Sequence, residues 1–192
     1  MKQGHGGNGR SGNIGRRTFL ALGIGAAATT LLSDPVEAAL HHATAHERKI
    51  ALYNTHTGEH LKAVYWERGR YLPESLHAAN HLLRDFRTGK MHRIDPKALD
   101  LVAAIHRKLG AKGPVHIISG YRSPETNAWL SSVSEGVATH SLHMQGQAID
   151  IRIPGHSVHQ VGRVARSLRG GGVGTYPDSD FVHVDTGRVR YW

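Results

Sequence analysis

The chain predicts an α+β domain, an antiparallel sheet flanked by helices, on three observations. Helical and strand periodicities occur together without the regular strand-helix alternation of a doubly wound protein. Two stretches, 147–153 and 181–185, alternate apolar and polar residues as half-buried strands do. A length of 192 residues with 39% hydrophobic content supplies one core, which argues against both a multidomain machine and a disordered chain.

The elements follow in order. Ile50 to Asn54 and Leu61 to Trp66 read as two strands of a hairpin around Thr57-Gly58-Glu59. Leu76 to Phe86 carries Leu76, Ala79, Leu83 and Phe86 at helical spacing. Asp95-Pro96 supplies an N-cap and a first-turn proline for a helix bearing Leu99, Val102, Ala103, His106 and Leu109, and Gly110 ends it. Val115 to Ile118 is a short apolar strand. Ser123-Pro124 repeats the cap-and-proline signal before a helix to about Leu130, and 132–142 reads as a loop. From Gln147 to Ile153, Ile149, Ile151 and Ile153 face one way while Ala148, Asp150 and Arg152 face the other. Ser157 and Gln160 have capping-box spacing for a helix with Val158, Val161, Ala165 and Leu168 along its stripe, closed by Gly170, Gly171 and Gly172. Phe181 to Asp185 alternates again, and Val189 to Trp192 is the last expected strand.

Ahead of this domain, Arg16-Arg17 meets a weakly apolar run, Phe19 to Ser33, too short to span a bilayer comfortably, and small residues follow at Val36-Glu37-Ala38. Residues 1–38 therefore read as an export signal, and the Arg-Arg-x-Phe-Leu pattern resembles a twin-arginine leader. The expectation is a periplasmic or otherwise extracytoplasmic protein that engages the twin-arginine export machinery and keeps no transmembrane segment after cleavage. The mature domain is then 39–192, with the His-rich 39–49 flexible. There is no cysteine, which excludes a disulfide scaffold, thiolate metal clusters and a thiol nucleophile. Net charge is +9 for the whole chain. It favours an anionic partner. The basic residues are scattered, with no dense tract or aromatic-basic module, so nucleic acid is not an expected partner.

The chemistry concentrates in Ser141 to Asp150 and at His183. Asp150 and His183 both occupy the polar side of an alternating strand, and His143 ends the preceding loop. If the two strands are neighbours, two imidazoles and one carboxylate converge, the set that leaves a tetrahedral zinc one open position. Each residue also has a plainer reading. A single histidine among 16 is more often surface or core, and Asp150 could pair with Arg122 or Arg152. An aspartate inside Ala-Ile-Asp-Ile-Arg-Ile, however, sits against its β-propensity and is costly to bury unpaired.

The pattern Ser141-x-His143-x-x-Gly146-x-Ala148-x-Asp150, with Asp180-x-x-His183 downstream, resembles the zinc D-Ala-D-Ala carboxypeptidase family, whose fold is shared with hedgehog signalling domains. Four stretches occur in order: Leu52 to Glu59, Ser119 to Ser123, Ser141 to Gly146 and Phe181 to Gly187. They look like the exported murein endopeptidase branch, the K-type enzymes, over nearly all of 50–192. The resemblance implies zinc held by His143, Asp150 and His183, with Asp180 as general base and Arg122 facing the substrate. His140 would line the same cleft. The implied activity is hydrolysis of amide bonds in peptidoglycan peptide cross-links containing meso-diaminopimelate or D-Ala. On residue chemistry alone, Asp180 is also an ordinary acidic turn residue, and Arg122 could bridge to Asp150 or Glu125. A non-catalytic wall-binding module and a hedgehog-like interaction domain are the rival classes. Arg169 to Gly174 is no phosphate loop, since no Lys-Ser/Thr follows, and there is neither a Gly-x-Ser-x-Gly elbow nor a His-Glu-x-x-His helix.

Overall fold

A computed structural model describes residues 47–134 and 137–192, together with Met1. Apart from Met1, the expected leader 1–38 lies outside the described residues, as do residues 39–46. One eight-stranded sheet organises the domain, in the order β3-β2-β1-β4-β5-β7-β6-β8. The strands are β1 (Glu47–Asn54), β2 (His60–Glu67), β3 (Arg70–Tyr71), β4 (Val115–Ser119), β5 (Ala148–Arg152), β6 (Gly172–Tyr176), β7 (Phe181–Asp185) and β8 (Arg190–Tyr191). Among the described residues four helices accompany them: α1 (Pro73–Leu82), α2 (Pro96–Lys108), α3 (Pro124–Val133) and α4 (Val158–Leu168).

The sheet is mixed, which corrects the expected antiparallel one. β1 runs parallel to β4 and β6 parallel to β8, while the other five pairings are antiparallel. The chain leaves the β1/β2 hairpin through α1 and α2 before returning to β4, and a long crossover of this kind permits parallel pairing that no local alternation reveals.

Alternation divides the sheet into two faces. Ile50, Leu52, Val115, Ile117, Ile149, Ile151, Val173, Val182 and Val184 are buried on one side. α2 and α4 pack on each other and on these strands with Leu99, Val102, Ile105, Val161 and Ala165. The intervening residues, including Asp150, Arg152, Phe181 and His183, turn to the opposite face. Three helices start as their sequences direct: Asp95 accepts from Lys97 N, Ser123 from Thr126 N, and Ser157 with Gln160 forms the complete capping box.

Several boundaries shift for local reasons. β1 begins at Glu47, so the last three residues of the expected flexible segment 39–49 belong to the sheet; Arg48 lies over the Trp66 ring and bonds Asp100 at 2.7 Å. α1 stops at Leu82 instead of reaching Phe86. Buried Asp85 leaves the helix to accept from Arg87 N and Ser123 N, and Phe86 stacks on His56. Within the expected loop 132–142 the helix α3 continues to Val133, and a single 3-10 turn, Leu142–Gln145, follows. β6 begins at Gly172, the last of the three glycines expected to close the preceding helix, and runs through 173–176, a stretch to which the sequence assigns no element.

Candidate metal centre

Three side chains from two strands and a 3-10 turn meet on the face of the sheet opposite α2 and α4. β5 and β7 pair in a register that sets Asp150 directly across from His183, so both project to the same side. His143 comes from the 3-10 turn. Ser141 caps that turn by accepting from His143 N, and Gly146 closes it in the left-handed region at φ 66°. Only glycine suits that position, because a Cβ there would run into the Arg93 carbonyl.

The ligand-type atoms form a tight triangle. His183 Nδ1 lies 2.9 Å from Asp150 Oδ1, His143 Nε2 lies 3.3 Å from the same oxygen, and the two ring nitrogens are 3.2 Å apart. All three residues are buried. The outer nitrogens settle which atoms face inward. His143 Nδ1 is 2.7 Å from the Gly120 carbonyl, which can only accept, so the proton sits there and Nε2 points its lone pair into the triangle. His183 Nε2 donates to Asp185 Oδ2 at 3.0 Å and presents Nδ1 in the same way.

Asp185 is not a ligand candidate on sequence grounds, yet it fixes His183. Fully buried, it also accepts from Gly172 N, Gly187 N and Arg190. Its signal is the alternation of β7, which places residue 185 on the same face as residue 183. Carboxylate or carbonyl partners on the outer nitrogen are the usual supports of metal-ligating histidines.

The electrostatics call for a cation at the centre. Burial pushes against ionisation of Asp150, but the neighbouring His143 and His183 outweigh it and hold the carboxyl well below its ordinary range. Burial likewise disfavours His183 as imidazolium; its bonds to Asp150 and Asp185 overcome this and raise it to about 9. Two inward lone pairs and a carboxylate at such range repel unless a proton or metal ion sits among them. The edges of 2.9, 3.2 and 3.3 Å compare with about 3.3 Å for the ligand-ligand edge of a tetrahedron with zinc bonds of about 2.0 Å. The donor set therefore fits zinc.

The remaining candidates separate. Arg122 borders the triangle, its side chain 13% exposed, with Nη2 4.0 Å from Asp150 Oδ2 and Nη1 donating to Asn127 at 3.3 Å. Its Nε is buried without a partner, and burial lowers its pKa. Glu125 pairs with Lys90 instead, so that plainer role for Arg122 falls away. Arg152 pairs not with Asp150 but with Asp180, at 2.7 Å. Asp180 is not within the triangle: it stands in a turn at φ 52°, with its side chain 59% exposed. His140 is exposed and makes no hydrogen bond to the three among the described residues. Asn127 steadies the segment beside Arg122 by donating to the carbonyls of Ala138 and Thr139.

Residues 42–192 match the family model described as "Peptidoglycan L,D-endopeptidase MepK". The chain is 44% identical over 177 residues to the peptidoglycan L,D-endopeptidase MepK of Escherichia coli strain K12, covering 92% of this chain and 96% of the relative. It is 39% identical over 178 residues to the probable peptidoglycan L,D-endopeptidase MepK of Haemophilus influenzae, covering 92% and 95%.

Proposed function

The chain belongs to the M15 peptidase family, in the branch of the peptidoglycan L,D-endopeptidases, and from that premise we propose that it is a zinc-dependent hydrolase of amide bonds in peptidoglycan cross-links. The observation that carries this reading is the buried triangle of His143 Nε2, Asp150 Oδ1 and His183 Nδ1, whose outer nitrogens are already committed to Gly120 and Asp185. Those three residues would hold the metal. Zinc bound there supplies Lewis acidity, which polarises an amide carbonyl and acidifies water.

The protein's own groups do the rest. Arg122 lies next to Asp150 with an unpaired buried Nε, positioned to grip a peptide carboxylate by its fork or to stabilise the oxyanion that develops on the attacked carbonyl. Asp180 is the proposed proton acceptor, which takes the proton of the attacking water and returns it to the leaving amine. To act it must turn from Arg152. That ion pair is exposed at both ends, and such pairs contribute only about 0–1 kcal/mol, so the rearrangement is inexpensive. His140, in the turn leading to the metal-holding segment, is proposed as a peripheral substrate contact. No helix among the described residues is long and apolar enough to cross a membrane. We assign 1–38 as a twin-arginine leader and place the mature domain outside the cytoplasm, where its substrate is. Replacing Arg16-Arg17 by Lys-Lys should then block appearance of the mature form; export at normal yield would sink the twin-arginine route.

The deciding experiment incubates purified protein with sacculi or defined cross-linked muropeptides, with and without chelator. Cleavage should cease on chelation and return with zinc. His183→Ala should lose metal and activity together, whereas Asp180→Ala should keep metal and lose turnover. Undiminished cleavage by metal-free protein would reject the mechanism.

A further inference from the structure

Arg122 flanks the triangle from the β4 side. Across β5 and β7, the opposite flank is aromatic. Gly174 of β6 is the cross-strand partner of His183, and the Trp192 indole lies over it; a Cβ at Gly174 would come within 2.5 Å of the ring. The Trp192 ring centre is 5.4 Å from that of His183. Its N–H donates to Tyr176 Oη at 2.7 Å, and Tyr176 stacks on Phe181 at 4.5 Å. Arg190, anchored on Asp185, lies 4.9 Å from the indole centroid. The ring is thus held from several sides, yet Trp192 remains 46% exposed.

A large apolar side chain contributes to a fold by being buried, and Trp192 is not. Its N–H is satisfied inside the protein, so water has no polar claim on it, and its orientation is fixed before any ligand arrives. A pre-ordered, half-exposed apolar plate beside a reaction centre is a contact surface for hydrocarbon. We propose that Trp192, braced by Tyr176 and Phe181, is the apolar wall of the substrate cleft and packs against the aliphatic part of the wall peptide next to the scissile amide. This rests on the reading that the triangle cleaves such peptides. It adds a division of labour: Arg122 recognises charge on one flank and Trp192 recognises hydrocarbon on the other.

The test separates binding from chemistry. With zinc-loaded protein and a defined cross-linked muropeptide, Trp192→Ala should raise KM about tenfold while kcat stays within about twofold, the pattern of lost uniform binding. Trp192→Phe should recover most of the KM. Gly174→Ala, which displaces the ring without removing it, should reproduce the KM defect, and it carries the test if Trp192→Ala fails to fold. Binding of the cleaved peptides should quench tryptophan fluorescence in the parent protein, and Trp192→Phe should abolish the quench although Trp66 and Trp129 remain. A folded, zinc-loaded Trp192→Ala with unchanged KM and an unchanged quench would overturn the proposal. Because the quench needs no turnover, a protein that binds through Trp192 but cleaves nothing would sink the hydrolase reading and leave only the contact between Trp192 and the wall peptide.

Discussion

His183 stands between two carboxylates, and that arrangement fixes its response to pH and metal. Its pKa, raised to about 9, lies above its ordinary value of 6.5. In metal-free protein the stability it contributes is therefore complete below about pH 6.5 and lost as pH climbs toward 9. Thermal melts in chelator should show that decline, and zinc-loaded protein should not, since the ion replaces the proton. The same logic predicts release of about one proton per zinc bound at pH 7, measurable by calorimetry in buffers of differing ionisation enthalpy. Asp185 acts one step out. Asp185→Asn should leave the fold intact and weaken zinc affinity by about 10- to 100-fold, read by competition with a chelator of known affinity. At this scale the sequence was informative where side chains alternate: Asp150 and His183 are legible as polar interruptions of apolar strands. Gly120 was not, because it contributes a carbonyl and carbonyls leave no mark on residue identity. Nor is the Arg152–Asp180 pair legible, since it depends on a turn conformation at φ 52°.

Helix starts are the most legible elements, because capping is a local matter of one side chain and the N–H groups two or three residues on. Ser157→Ala removes half of the α4 capping box and should cost about 1 kcal/mol, seen as a shift of a few degrees in the melting midpoint without change in zinc content. β6 was illegible for the opposite reason. Its glycines are poor strand formers, but Gly172 leaves room for Asp185 and Arg190, and Gly174 leaves room for Trp192. Residues far away in sequence decide that the strand is glycine-rich. The early end of α1 has a similar origin, because the partner that draws Asp85 out of the helix is Ser123, 38 residues on. Asp85 is thereby lowered to about 2; burial alone would raise it, and its hydrogen bonds with Thr126, Ser123 and Arg87 prevail. Its contribution should persist above about pH 4 and fade as pH falls toward 2.

For the molecule as a whole, the class of mixed helix and sheet was readable, and the parallel pairings were not, because β1 meets β4 only after a crossover through α1 and α2, and β6 meets β8 only after the chain has run back through β7. What did carry over is the separation of tasks between faces: one side of the sheet holds α2, α4 and the core, the other the candidate metal centre. The direct opposition of Asp150 and His183 then has a consequence for how the protein matures. A slip of one residue between β5 and β7 would turn the carboxylate inward and expose Ile149 and Ile151 to solvent, and no ligand set would remain. Zinc held there as proposed would consequently select the correct alignment during folding. Supplied while the denatured chain renatures, it should increase the yield of native protein, whereas the same ion added after renaturation is complete should rescue none of the misaligned fraction.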